Sequence, residues 1–142
     1  MSTFMIKNQP PENENLVPYK PDTPQGVTKG RLKLEYTYTS STTDPEGDQV
    51  YYLWDWGDGI NSGWLGPYNS GVTVDTTHKW VVEGSYNIKV IAKDIYGKES
   101  SWSDPLPITM PYSYNNPTLQ FLELLFQRFP HAFPILRQLL GY

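Results

Sequence analysis

The sequence predicts an all-β protein, an antiparallel β-sandwich that carries a short, hydrophobic α-helical tail. Three features of the 142 residues predict it. Between residues 29 and 111, apolar and polar side chains alternate with period two in several short runs. That pattern turns one face of each run toward a core and the other toward water. The 13 prolines and 11 glycines interrupt the chain too often for long helices, and six or seven short strands joined by such turns are the pattern of a sandwich. After residue 112 the apolar spacing changes to that of a helix.

Residues 1–28 are polar and hold Pro10, Pro11, Pro18, Pro21 and Pro24 among Asn8, Asn13, Asn15 and Gly26. They read as a flexible linker over 1–14, then extended chain. The stretch near Pro18–Pro24 fits a sheet edge, where a missing N–H is tolerated.

The sandwich is assigned to residues 15–111. Leu32, Leu34, Tyr36 and Tyr38 alternate with Arg31, Lys33, Glu35 and Thr37 and predict the first strand. Asp44-Pro45-Glu46-Gly47-Asp48 is a turn. Val50, Tyr52, Trp54 and Trp56 then share one face of a strand that stops at Gly57-Asp58-Gly59, a tight turn in which Gly supplies positive φ and Asp bonds its own backbone. Asn61–Ser70 is expected to be a long loop over the sandwich edge. Val72, Val74 and Thr76 alternate again. Tyr86, Ile88, Val90 and Ala92 form the cleanest strand, and Leu106, Ile108 and Met110 the last. No helix-length periodic segment lies between them, which disfavours a parallel α/β sheet.

Residues 112–142 form a separate amphipathic tail. Asn116 and Pro117 suit a helix cap and first turn. Leu119, Leu122, Phe126 and Phe129 follow at helical spacing, and Pro130 ends the helix. Pro134 opens a second short one with Ile135, Leu136, Leu139 and Leu140. Only Glu123, Arg128 and Arg137 are charged there.

Composition narrows the function classes. With Lys plus Arg 11 and Asp plus Glu 15, the net charge is -4, against the basic face that phosphate contacts need. There is no Cys, so disulfides, thiolate metal sites and Cys nucleophiles are excluded. His78 and His131 are far apart, which disfavours a His-based zinc site. His78 is expected to be a strand histidine with a hydrogen-bond partner. No stretch is long and apolar enough for an ordinary membrane-spanning helix. Residues 1–25 lack the basic region and apolar run of a secretory signal, and the chain is read as a piece of a larger surface protein. No Gly-rich phosphate loop, zinc motif or paired-carboxylate cleft is present, and the protein is read as non-enzymatic.

The run Tyr52-Leu53-Trp54-Asp55-Trp56-Gly57-Asp58-Gly59 resembles the signature strand of PKD (polycystic kidney disease) domains. His78-Lys79-Trp80 resembles the family's His-x-aromatic step, and Gly84-Ser85-Tyr86 its Gly-x-Tyr strand. Asp94 and Gly97 resemble its Asp-x-x-Gly ending, and Asp44 to Asp48 its Asp-Pro-Asp-Gly turn. Trp56 stands where Phe is usual, Trp80 where Tyr is usual, and Glu46 where Asp is usual. The resemblance implies an immunoglobulin-like sandwich of extracellular and cell-surface proteins.

Asp44, Glu46, Asp48 and Asp94, acids from two turns, are expected to meet at one pole of that sandwich, where they repel unless a cation or donor lies between them. Calcium takes six to eight oxygens. Some relatives of the family bind calcium at positions matching Asp44, Glu46 and Asp94, and Asn15 is a further candidate ligand. Trp64, Tyr68, Trp80 and Trp102 are left over once the core is filled. Of these, Trp64, Tyr68 and Trp102 are candidates for stacking on a sugar or anchoring a partner. Leu122, Phe126, Phe129, Leu136 and Leu139 are the candidate contact residues of the tail. The expected function is a non-catalytic extracellular structural or adhesion module that forms homo-oligomers or is anchored through its tail. The alternative is a carbohydrate-binding accessory module of a secreted enzyme, with a polysaccharide as partner.

Overall fold

The structure is a computed structural model that describes residues 14–111, residues 117–129 and, beyond them, His131, Pro134 and Gln138. It comprises two units, Met1–Tyr112 and Ser113–Tyr142. Residues 1–13 of the expected linker, and Leu136 and Leu139 of the expected tail contacts, lie outside the described residues.

The first unit is mostly β. Its strands are β1 (Tyr36–Ser40), β2 (Val50–Asp55), β3 (Asn61–Tyr68), β4 (Val74–His78), β5 (Gly84–Asp94) and β6 (Leu106–Met110). They form two antiparallel sheets, β1-β4 and β3-β2-β5-β6. The entering chain runs along both. Gln25 and Thr39 exchange backbone hydrogen bonds of 2.8 and 2.9 Å, and Asp22 N–H donates to Ser41 O at 2.9 Å. Further on, Thr109 N–H donates to Thr28 O at 2.9 Å, so the segment crosses from the outer edge of β1 to that of β6. Pro18, Pro21 and Pro24 are buried in it. Proline fits this edge position because it has no N–H to lose.

Period two on β2 turns Tyr52, Trp54 and Trp56 inward together, all but fully buried. Trp54 and Trp56 stack at 5.6 Å, and His78 stacks on Trp56 at 4.6 Å with the two ring planes nearly parallel. Trp80 meets both Trp56 and His78 edge-on. Such tilted and edge-to-face pairs add to the stabilisation from buried area. Tyr38, Val50, Val74, Ile88, Val90, Ala92, Ile108 and Met110 complete the core. Burial pushes the Tyr38 hydroxyl up to about 12, with Tyr36 adding to the shift.

The Gly57-Asp58-Gly59 turn is as expected. Gly57 has φ 77° and Gly59 φ 86°, and Ile60 N–H donates to Asp58 Oδ1 at 3.0 Å. A Cβ on Gly57 would lie 2.9 Å from the Asn87 backbone, so no other residue fits. Tyr86 donates its hydroxyl to Val82 O at 2.6 Å, a tyrosine corner.

Three expectations are corrected. The first strand starts at Tyr36, not near Arg31, because Lys33 takes φ 65° and its N–H turns to Trp80 O; Leu34 is left exposed. Asn61–Ser70 is not a loop: most of it is β3, an edge strand with two register shifts against β2. Trp80 is not left over but wholly buried, with its indole N–H donating to Trp56 O at 3.3 Å.

The second unit holds α1 (Pro117–Arg128). Arg128 lies in its last turn, where a cation complements the helix dipole. Phe126 is buried, Leu122 and Leu125 are half-buried, and Phe121, Leu124 and Phe129 are exposed.

Candidate functional site

Two turns built on the same plan meet the entering chain at one pole of the sandwich. Before β2, Asp44 Oδ1 accepts the N–H groups of Glu46 and Asp48 at 2.9 and 3.1 Å, and Gly47 N–H donates to Asp44 O. After β5, Asp94 Oδ1 accepts the N–H groups of Tyr96 and Lys98 at 2.8 and 2.9 Å, and Gly97 N–H donates to Asp94 O. Gly47 and Gly97 both have positive φ. The turn residues follow directly from this geometry: Asp caps its own turn, and Gly supplies the left-handed fourth position.

The second carboxylate oxygens differ. Asp94 Oδ2 accepts the Asn15 amide at 2.6 Å. Asp44 Oδ2 is buried and has no partner among the described residues, and neither has the buried Asn15 Oδ1. Leu16 N–H donates to Glu46 Oε1 at 3.4 Å, and Lys98 Nζ donates to Asn15 O. Asn15 and Leu16 therefore bind the entering chain to both turns.

Asp44 and Asp94 are buried. Burial alone raises the Asp94 carboxyl, but hydrogen bonds from the Asn15 amide and from the Lys98, Tyr96 and Gly97 backbone more than offset it. The net position is below the usual carboxylate range.

Asp44, Glu46 and Asp48 each offer a carboxylate oxygen within 4.8 Å of one another. The expected set was Asp44, Glu46 and Asp94. The structure groups Asp48, another of the acids expected at this pole, with the first two and joins Asp94 to the pole through Asn15. Asp48 was legible in the turn itself, four residues after Asp44, where its N–H folds back onto the Asp44 carboxylate. The group is all oxygen, as a hard cation requires. Its fit to calcium rests on Asp44 Oδ2, buried and without a partner among the described residues, since a buried acceptor without a donor or cation is costly.

The candidate aromatic residues separate. Trp64, opposite Leu53, lies on the outer face of the four-stranded sheet. Lys93 Nζ sits 4.2 Å from its ring centroid and 5.6 Å from that of Tyr51. Trp102 is exposed and lies under Lys89 Nζ at 5.2 Å. Tyr68 leaves the group: its ring packs against Tyr52 at the core margin, 6.0 Å between centroids, because the β2–β3 register shifts before it. In the tail, Leu122 and Phe126 lie on one side of α1, Phe129 follows its last residue, and exposed Phe121 and Leu124 widen the apolar arc.

Sequence and structure comparisons match this architecture to known proteins. A family model described as "PKD domain" matches residues 23–104, more than half of the chain. The chain is 39% identical over 76 residues to collagenase ColQ1 of Bacillus cereus (strain Q1), covering 53% of this chain and 7% of that protein's length. It is also similar to the solved PKD domain of an M14-like peptidase from Thermoplasmatales archaeon SCGC AB-540-F20. That match has TM-score 0.64 and 44% identity, and covers 68% of this chain and 98% of the other. Signature strand, doubled Asp-x-x-Gly turns and matched region agree: the chain belongs to the PKD domain family.

Proposed function

We propose that the chain is a non-catalytic, extracellular accessory and association module, of the kind a secreted peptidase carries beside its catalytic part. Its sandwich acts as a stiff spacer and its tail supplies contacts. The observation that carries the reading is the clamp of the entering chain: Asn15 reaches Asp94 and Leu16 reaches Glu46 at a single pole. A spacer transmits direction only if its incoming chain is held, and here residues 15–28 are held from that pole to β6.

Calcium is the proposed reinforcement of the clamp. Asp44, Glu46 and Asp48 would hold it, with Asn15 Oδ1 as a neutral ligand from the entering chain and Asp94 fixing Asn15. A bound ion would neutralise the carboxylates and bind linker to sandwich. The experiment is thermal unfolding with calcium and with EDTA: the melting temperature rises with calcium, and identical curves reject the ion.

Phe121 and Leu124, exposed on so short a helix, and Phe129, exposed just beyond it, support self-association or anchoring through the tail. Removing residues 117–142 should lower the mass measured by light scattering; an unchanged mass rejects that role. One observation favours a polysaccharide as an alternative partner, the exposed ring of Trp102 beside Lys89. Trp102→Ala should then abolish retention on the polysaccharide, and undiminished retention rejects this site.

A further inference from the structure

The outer edge of β4 is the one regular sheet edge that the described residues leave open. The outer edge of β1 is covered by the entering chain at Tyr19, Asp22 and Gln25, and that of β6 by Thr28 and Gly30. The outer edge of β3 is broken by two register shifts, by Gly63 with φ 68°, and by Pro67, which has no N–H to offer. By contrast, β4 keeps an unbroken register from Tyr36↔His78 to Ser40↔Val74. It contains no proline or glycine.

Which backbone groups point outward follows from β1. Thr39 and Ser41 turn their backbone groups to the entering chain, so Tyr36, Tyr38 and Ser40 turn theirs to β4. Their partners His78, Thr76 and Val74 face inward. Asp75 and Thr77 therefore aim their N–H and C=O groups away from the sheet, and alternation places Lys79 next in line. All three residues are exposed.

We propose that this edge pairs with the same edge of a second copy, antiparallel and centred on Thr77, as an association surface independent of the tail. Electrostatics selects the register. Centring on Asp75 sets Asp75 against its own copy, which repels. Centring on Thr77 sets Asp75 of each copy against Lys79 of the other, two opposite-charge pairs directly across the new ladder. The same register brings Val72 of each copy toward Val82 of the other, and both are exposed. A strand this short makes a small interface, so the pairing is weak and concentration-dependent.

The full chain has no cysteine, which permits a direct test. In the proposed register, Thr77→Cys places two Cα atoms roughly 5.5 Å apart, within disulfide reach. Thr37→Cys, exposed on β1, has no such partner. Thr77→Cys should cross-link on the order of tenfold faster than Thr37→Cys. Adding Asp75→Lys should slow it by a similar factor, and adding Lys79→Asp as well should restore it. Equal rates for the two cysteine variants, or rates indifferent to the charge exchange, overturn the proposal. Because tail-driven clustering would cross-link both cysteines alike, failure here leaves the tail reading standing and the reverse also holds.

Discussion

Asp44 and Asp94 close the same turn with the same atom, yet only Asp94 has a partner for its second oxygen. Each Oδ1 accepts the N–H groups two and four residues ahead. Asp94 Oδ2 then takes the Asn15 amide, whereas Asp44 Oδ2 is buried and unpartnered among the described residues. The asymmetry separates two jobs. Asp94 positions the entering chain, and in the proposed reading the free oxygen of Asp44 takes the cation.

That division predicts different calcium responses. Asp44→Asn keeps a side-chain carbonyl for the turn but removes the charge at the unpartnered oxygen, so the stabilisation by calcium should disappear. Asp48→Asn should weaken it, since Asp48 completes the carboxylate group. Asp94→Ala removes two turn hydrogen bonds and the Asn15 contact, and should lower stability without calcium by about 1–3 kcal/mol. Melting curves of the three variants, each with calcium and with EDTA, read these effects. An undiminished calcium response in Asp44→Asn would exclude that oxygen as a ligand.

Acid should weaken the pole through Asp94. Its carboxyl is held below the usual range in the folded state, so folding favours the ionised form. The contribution is present above the unfolded value of about 3.9 and is lost as pH falls through the lower folded value. Asp94→Asn should be less stable than the parent chain at neutral pH, with the gap closing below about pH 4. A gap constant with pH would show that the charge on Asp94 contributes nothing.

Strands β2, β5 and β6 were legible because their alternation is uninterrupted and their inward residues are large. The start of β1 was not, because the backbone at Lys33 turns left-handed while Leu32 and Leu34 keep the apparent alternation. The edge strand β3 was hidden by its register shifts, which also turn Tyr68 inward after Trp64 points outward. Trp80 lies beyond the end of β4 and enters the core through the chain's path rather than through strand periodicity. The Asp44 turn could be read from residue types. Two oxygens left unpartnered could not, because that depends on where Asn15, 79 positions away from Asp94, comes to rest.

The two faces of the four-stranded sheet predict opposite outcomes for two tryptophans. Trp54→Ala empties the centre of the core and should cost about 3–5 kcal/mol, a large part of the stability of an ordinary domain. Trp64→Ala removes an outer ring held by Lys93 and should cost about 1 kcal/mol or less. Trp54→Phe should cost much less than Trp54→Ala, because it retains a ring and removes an indole N–H that has no partner among the described residues. Denaturant midpoints for the three variants test this, and equal losses for Trp54→Ala and Trp64→Ala would reverse the inward and outward faces.

His78 ties the signature turn to the opposite sheet, and its loss should loosen that turn first. Its Nε2 lies 2.7 Å from Asp58 Oδ2, with both side chains largely buried, and its ring covers Trp56. His78→Ala removes one hydrogen bond and one aromatic stack, together about 1–3 kcal/mol, and exposes the Trp56 face. Asp58→Ala removes the same hydrogen bond and also the cap on Ile60 N–H, while leaving the stack in place. The two variants should therefore lose similar stability but differ in fluorescence. His78→Ala should shift the tryptophan emission to longer wavelength in the folded state, and Asp58→Ala should not. Identical emission from both would show that the imidazole does not shield Trp56 from water.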